Sequence, residues 1–322
     1  MISVILATYN GSEFLKEQLD SIRNQTVTPS EVIICDDSST DDTADIVKEY
    51  IASNQLVNWK FFENSHNIGH YNTFLKLVSL AEEPYVFFSD QDDIWLLDKI
   101  EKMVSELQKN NVSMVYCASN FIDEHGNIFN TPLISGGVFE SSLHNQLTKW
   151  PSGYQTAIKK EILDIILERH YDRMAGFDFH DVLFGFLAPL FGKVIKVDCI
   201  LDSHRIHRNN VTKSVKNKSF LATKEEREAY IKKVLLRLSS LEKIAEEVDS
   251  KYKEEISIYK NFTNSRINFL SSFSFNNLFK LFKERQFYAD KKDFIGDIIY
   301  SMNLSKFARK LIEVRGNYAK HK

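Results

Sequence analysis

Asp90, Asp92 and Asp93 fall within four positions of one another in the stretch FFSDQDDIW, directly behind the apolar run Tyr85–Phe88. Carboxylates that close together repel one another and resist leaving water, so a buried strand ending here must deliver them to something positive. Two more polar clusters stand behind apolar runs, Thr8-Tyr9-Asn10 and Asp36-Asp37-Ser38. If the three runs are neighbouring strands, their polar ends converge on one sheet edge, the place where open α/β sheets bind ligands. The chain has neither GxGxxG nor GxxxxGK(S/T), which removes the usual backbone cradles for phosphate. A metal is the other way to hold a diphosphate, and hard oxygen ligands suit Mg2+ or Mn2+. Plainer readings exist. Asp92 or Asp93 would cap a helix starting near Ile94, and Asp36 to Asp42 would serve as turn and cap residues. One cap accounts for one carboxylate, not for three.

The elements that must position these residues follow from periodicity. Ile2 to Ala7 reads as a strand covered on both faces, Val32 to Cys35 as a second buried strand, Trp59 to Phe62 as a third strand candidate and Tyr85 to Phe88 as the fourth. Between them, Leu15, Leu19 and Ile22, then Ile46, Val47 and Tyr50, then Phe74, Leu77, Val78 and Ala81 recur at helical spacing. Ser39 and Asp42 resemble a capping box. A further helix is expected from Leu97, Ile100, Val104 and Leu107, a strand over Val115 to Ile122, and a turn at DEHGN. Alternating strand and helix implies a mostly parallel sheet with helices on both sides. Residues 131–155 read as loops. From about residue 219 the pattern is helical, with Tyr230, Val234, Leu238, Leu241, Ala245 and Val248 on one stripe.

Composition narrows the class. With 43% hydrophobic and 26% charged residues, the chain is expected to be globular and soluble rather than disordered. A net charge of −3 argues against a partner made of nucleic acid. Cys35, Cys117 and Cys199 form no CxxC pair and suit a reducing cytoplasm. The start MISVILATYN lacks the marks of a signal peptide, and the apolar stretch from Val182 to Gly192 is too short to span a bilayer. The expected location is therefore cytoplasmic, with any membrane contact peripheral at the inner face.

The stretches ISVILATYNG, VIICDDSSTDDT, NSHNIGHYNTF and FFSDQDDIWLLDKIEK stand in order over residues 2–103. In these the chain resembles the family-two inverting glycosyltransferases of the GT-A fold, nearest to bacterial rhamnosyltransferase-like members. The resemblance implies an α/β, Rossmann-like GT-A domain, here residues 1–218, with the helical region 219–322 as an appendage. It implies that Thr8, Tyr9, Asn10 and Asp37 line the nucleotide, with Asn67 and Gly69 shaping the loop against it. It makes Asp90-Gln91-Asp92 the DxD motif, with Asp92 and Asp90 toward a metal, Gln91 on the donor side and Asp93 beside the donor sugar. In GFDFHDVLFGFLAPLFGK the aspartate after His180 becomes the general base, Asp181, with Asp178 as runner-up. A helix N-terminus agrees, since it favours the ionised carboxylate; a plain N-cap aspartate would look similar. In LDSHRIHRNNVT, Arg205, His207 and Asn210 match positions near the pyrophosphate, Arg205 on the leaving phosphate and His207 on the metal; a basic surface loop is the plainer reading. In WPSGYQ, Trp150, Gly153 and Tyr154 lie on the acceptor side, although aromatic packing is the commoner use of such rings. The chain departs from the family at Val182, where an aromatic is common, and at His204 and Ile206, where Tyr and Gln are usual.

The expected activity is metal-dependent transfer of a hexosyl unit from a nucleotide-diphosphate sugar, dTDP-rhamnose or a UDP-hexose. The acceptor is a saccharide or lipid-linked saccharide in bacterial surface polysaccharide synthesis. The rivals are a non-catalytic sugar-nucleotide-binding protein, a nucleotidyltransferase on a similar sheet and a glycoside hydrolase. LFKLFKERQFY, residues 278–288, mixes Phe and Leu with Lys and Arg. Beyond Lys306 basic residues dominate as well. Two readings stay open for this region: contact with an anionic membrane, or helices that pack on the core or form a homo-oligomer.

Overall fold

The computed structural model describes residues 1–208, 210, 223–302 and 304. The chain divides into two compact units, Met1–His207 and Arg208–Lys322. The boundary expected at 218/219 lies outside the described residues, as do the basic positions beyond Lys306.

In the first unit, strand and helix alternate as the periodicity requires: β1 Ile2–Thr8, α1 Leu15–Arg23, β2 Glu31–Asp36, α2 Thr43–Ser53, β3 Trp59–Glu63, α3 His70–Leu80 and β4 Tyr85–Ser89. There follow β5 Ile94–Trp95, α4 Lys99–Leu107, β6 Val112–Ile122, β7 Ile128–Asn130, β8 Val138–Glu140, α5 Leu143–Thr148, β9 Thr156–Lys159, α6 Lys160–Glu168, α7 His180–Phe191 and β10 Lys193–Arg205. One sheet carries them in the order β3-β2-β1-β4-β9-β6-β10-β5, with β7 on β6 and β8 on β10. β1 runs parallel to β2 and β4, β2 to β3, and β10 to β6; β9 enters antiparallel between β4 and β6. The architecture is thus mixed α/β around a large central sheet. Val4, Leu6, Val32, Ile34 and Phe87 bury one face against Leu15, Leu19 and Ile22 of α1, Val47 and Tyr50 of α2, and Ile100, Met103 and Leu107 of α4. Ile5 and Ile33, pointing the other way, are equally buried, so the strands read as continuous apolar runs because both faces are covered.

Several expectations are corrected. Residues 94–95 pair antiparallel with β10, and the next helix begins only at Lys99 behind Asp98, so neither Asp92 nor Asp93 caps it. Leu97, placed on the helix's apolar face from spacing, precedes that helix and is exposed. Ser39 does not build a capping box: its hydroxyl donates to Asp36, and α2 starts from Asp42 without a side-chain cap. Residues 131–155 are only partly loop, since β8, α5 and a 3-10 turn at Gly153–Gln155 lie within them. The stretch 201–205 is the buried end of β10 rather than a surface loop.

The second unit contains α8 Lys224–Glu247, α9 Lys253–Ser271, α10 Phe275–Lys283 and α11 Lys291–Ser301. Leu238, Leu241 and Ala245 are buried as the stripe predicts, but Ile231 takes the inward place expected of Tyr230. Its polar hub is Asp297, which accepts from Arg227 Nε, Arg266 Nε and the Tyr288 hydroxyl, each at 2.7 Å.

Candidate active site

The acidic cluster meets three different histidines. Asp90 Oδ1 lies 3.6 Å from His70 Nε2 at the start of α3. Asp92 Oδ2 lies 2.8 Å from His207 Nε2, just beyond β10. Asp93 Oδ1 lies 2.7 Å from His204 Nδ1 within β10 and also accepts the Arg205 backbone N–H at 3.0 Å. The three carboxylates therefore leave β4 toward three separate environments instead of sharing one.

Those environments differ electrostatically. Burial would raise the Asp90 carboxyl, but His70 beside it, helped by His180 and His204, holds it below the ordinary carboxylate value. Burial draws the His70 imidazole down, yet Asp90, Asp181 and Asp92 outweigh it and hold the ring above its usual value. His70 is thus within electrostatic reach of both ends of the expected chemistry. Asp93 is fully buried, and burial pushes its carboxyl up to about 7 even beside His204. His204 loses by burial and gains more from Asp93, so it rises to about 9. The buried pair retains a proton through neutrality, as a carboxylate and an imidazole 2.7 Å apart in low dielectric should.

Local packing explains why β10 ends this way. Arg205 is 1% exposed; its Nε donates to the Asp92 carbonyl, Nη1 to the Glu124 carbonyl and Nη2 to Glu17, and its guanidinium lies over Phe14 at 4.6 Å. Guanidinium donors in these directions clamp the Asp92 backbone. Deeper in the same strand, Asp202 accepts from Lys99 Nζ at 2.8 Å; Lys99 also donates to the Tyr154 carbonyl at 2.6 Å and lies over Trp95. Tyr154 in turn stacks on His204, with ring centroids 4.4 Å apart and planes 6° from parallel.

On the nucleotide side, Thr8 is buried and donates to Asp36 at 2.8 Å. Asp37 is buried too. It accepts from Asn64 Nδ2 and from the Ile68 and Gly69 N–H groups, pinning the loop of residues 64–69. Gly69, at φ +86°, turns that loop into α3, a conformation that suits glycine. Asn67 is exposed and its side chain accepts from Gly69 N. Tyr9 and Asn10 are exposed; Asn10 Oδ1 accepts from Thr40 N. Gln91 joins the ends of β1 and β4 through a reciprocal pair, accepting from Tyr9 N and donating to Tyr9 O. A Cβ at Gly11 would collide with the Gln91 side chain, so glycine there permits the crossing.

Asp181 sits in the first turn of α7, half-buried, with Val182 N donating to its Oδ1 at 2.7 Å. Asp178 is exposed two residues before the helix. His180 faces inward: its ring stacks on Phe74 at 3.9 Å, and burial holds it well below the usual imidazole value. Neither of its ring nitrogens has a hydrogen-bond partner among the described residues. Gly153 lies against this ring so closely that a Cβ would collide with it. Trp150 packs edge-on to Phe186 at 5.5 Å. The rings of Trp150 and Tyr154 thus engage the protein's own aromatics. Asn210 lies at the margin of the described residues. His70 and His204 were missed as site residues; a lone histidine has no spacing signal, and each is tied to its aspartate only in space.

Among the described residues no three His, Cys, Asp or Glu side chains gather as a ready metal cage. What the structure offers is a carboxylate oxygen and an imidazole nitrogen side by side, Asp92 and His207. That donor set would suit a divalent cation such as Mn2+ or Mg2+.

The fold has solved counterparts among nucleotide-sugar enzymes of GT-A type. S. aureus TarS 1–349 in complex with UDP-GlcNAc superposes with a TM-score of 0.61 at 16% identity, over 95% of this chain and 91% of that one. The mannosyltransferase PcManGT of Pyrobaculum calidifontis, in complex with GDP-Man and Mn2+, gives 0.52 at 17% identity, over 96% and 86%. The chain belongs to glycosyl transferase family 2, whose model matches residues 3–178. Among curated relatives, an uncharacterized glycosyltransferase of Methanocaldococcus jannaschii is 34% identical over 131 residues, 40% of this chain and 44% of that protein. The Escherichia coli β-1,3-glucosyltransferase WfgD, named for a GlcNAc-diphosphoundecaprenol acceptor, is 32% identical over 117 residues, 36% and 44%. The dTDP-rhamnosyl transferase RfbG of Shigella flexneri is 37% identical over 111 residues, 34% and 38%. The match thus spans less than half the length of each of these relatives.

Proposed function

We propose that the first compact unit transfers a glycosyl group, with inversion, from a nucleoside-diphosphate sugar to a saccharide hydroxyl in bacterial surface polysaccharide synthesis. The observation carrying this reading is that His70 lies 3.6 Å from Asp90 at the end of β4, and that the charges of Asp90, of Asp181 at the start of α7 and of Asp92 together hold its ring above the usual imidazole value. The donor-side carboxylates and the candidate base thereby act on one imidazole. Asp181 takes the acceptor proton; the acceptor oxygen bonds to the anomeric carbon as the bond to the phosphate oxygen breaks, and the nucleoside diphosphate leaves with the electron pair. The positive end of α7 keeps Asp181 ionised for that task. Asp92 and His207, with Asp90, would hold a divalent cation, which would supply positive charge for the departing diphosphate. Tyr9, Asn10 and Asn67 are the exposed groups available to the nucleotide. Thr8, Asp37, Gly69 and Gln91 hold the loops that present them, and Arg205 and Asp93 set the Asp92 backbone from beneath. The acceptor is a saccharide or lipid-linked saccharide; the donor is dTDP-rhamnose or a UDP-hexose, both chemistries being represented in the names of relatives.

The test is a panel of nucleotide sugars incubated with purified protein and saccharide acceptors, scoring nucleoside diphosphate and glycosidic product with Mn2+, with Mg2+ and with EDTA. Release from one donor, lost in EDTA, is the expected result. Binding of a sugar nucleotide without product from any acceptor would favour a non-catalytic binder, and pyrophosphate release would favour a nucleotidyltransferase.

A further inference from the structure

Among the described residues, the helical unit carries an apolar stripe that its own helices leave uncovered. In α10, Phe275, Phe279 and Phe282 are 79%, 61% and 50% exposed, whereas Leu281 is fully buried and Leu278 packs against the aromatic cluster of Phe262, Phe269 and Tyr288. The spacing i, i+4, i+7 brings the three rings within an arc of about 60° on the helix surface. Lys283 and Lys280 follow on the flank away from the leucines. Lys283 Nζ lies 4.6 Å from the Phe279 ring centroid, and the Arg285 guanidinium lies 4.5 Å from that of Phe282. No acidic residue occurs within 275–283, and over 275–292 five lysines and arginines face only Glu284 and Asp290.

Three large rings in water, bordered by cations, mark a surface meant to be covered. A second copy is a poor cover. A two-fold contact would set each stripe against itself, bringing Lys280 and Lys283 toward their own counterparts with no carboxylate in the helix to neutralise them. An anionic lipid surface satisfies both halves of the pattern. We propose that α10 is a membrane-resting element: the Phe rings enter the boundary between headgroups and acyl chains, while Lys280, Lys283 and Arg285 reach lipid phosphates with their stems lying along the rings. The attachment is peripheral. No described helix is long and apolar enough to cross a membrane. A protein held this way works at the surface where lipid-linked saccharides are presented, but the inference does not rest on the transferase reading.

The experiment uses the full chain without donor or acceptor, sedimented with vesicles of phosphatidylcholine plus phosphatidylglycerol and with vesicles of phosphatidylcholine alone. The protein should follow the anionic vesicles, and less of it as salt is raised. The triple variant Phe275→Ser/Phe279→Ser/Phe282→Ser retains every basic residue yet should bind those vesicles about tenfold more weakly or worse. Lys280→Gln/Lys283→Gln should lose most of the preference for anionic lipid. If the triple variant departs from the wild-type circular dichroism spectrum, Phe279→Ser alone is read in its place. No binding by the wild type, or equal binding by the serine variants, overturns the proposal. So does a shift from dimer to monomer in sedimentation velocity without loss of vesicle binding, which would give the stripe to a second copy.

Discussion

Three aspartates in four positions are tolerable because each is met by its own imidazole. Asp92 and Asp93 are neighbours in sequence with opposite situations: Asp92 stands at the edge with His207, and Asp93 is sealed beneath it with His204. Their variants should separate accordingly. Asp92→Asn should leave the urea midpoint near wild type while abolishing metal-supported donor binding, read by calorimetry with Mn2+. Asp93→Ala leaves the buried His204 ring and the Arg205 N–H without their acceptor, and should cost about 1–3 kcal/mol in urea unfolding. Equal stability of the two variants would sink this assignment. Asp181→Asn, matched in shape, should lower the transfer rate by about 10²–10⁴-fold with nucleotide binding intact. Full-rate transfer by that variant would remove Asp181 as the base.

At the scale of elements, the turn at Gly153–Gln155 is wedged between α7 and β10: Gly153 against His180, Tyr154 against His204. Gly153→Ala drives a methyl into the His180 ring and should destabilise the unit by about 1–3 kcal/mol. Combining it with His180→Ala should recover part of that loss, a coupling visible in a double-mutant cycle of urea midpoints. Additive effects would mean that the turn and α7 do not press on one another. β10 shows why this corner was hard to read in advance. Its sequence KVIKVDCILDSHR carries two lysines, two aspartates and an arginine, which masks a strand by composition. Those groups are tolerated because Lys99 meets Asp202, and Lys196 and Ser135 meet Asp198. Of these only Lys196–Asp198 is local; Lys99 and Ser135 lie 103 and 63 residues from their aspartates.

At the scale of the whole molecule, each compact unit has its own buried polar hub, Lys99–Asp202 in the first and Asp297 in the second. Burial would raise the Asp297 carboxyl, but Arg266, Arg227 and the Tyr288 hydroxyl outweigh it and hold it below its ordinary value. A depressed carboxylate stabilises the fold above its unfolded pKa, about 3.8–3.9. That contribution disappears as pH falls through the depressed value. Thermal melts from pH 7 to pH 3 should therefore show an acid-labile transition that flattens in Asp297→Asn. At pH 7, Asp297→Ala, which strands buried Arg227 and half-buried Arg266, should cost the helical unit about 3–5 kcal/mol. An unchanged melt at pH 7 would contradict the hub.

Composition, periodicity and the placing of polar clusters behind apolar runs were enough to define the strand–helix alternation, the sheet edge where Thr8, Asp37 and Asp90 emerge, and the carboxylates that gather there. These are local properties, carried by residues within a few positions of one another. The partners of those carboxylates were settled only by tertiary structure. His204 lies 111 residues from Asp93, and His207 lies 115 from Asp92. Which histidine meets which aspartate depends on the register of β10 beside β6 and its short pairing with β5, and sequence spacing carries no record of either. The same holds for Thr8, Asp37 and Arg205: their types suit a ligand, and packing turned each of them inward to hold the chain that would meet it.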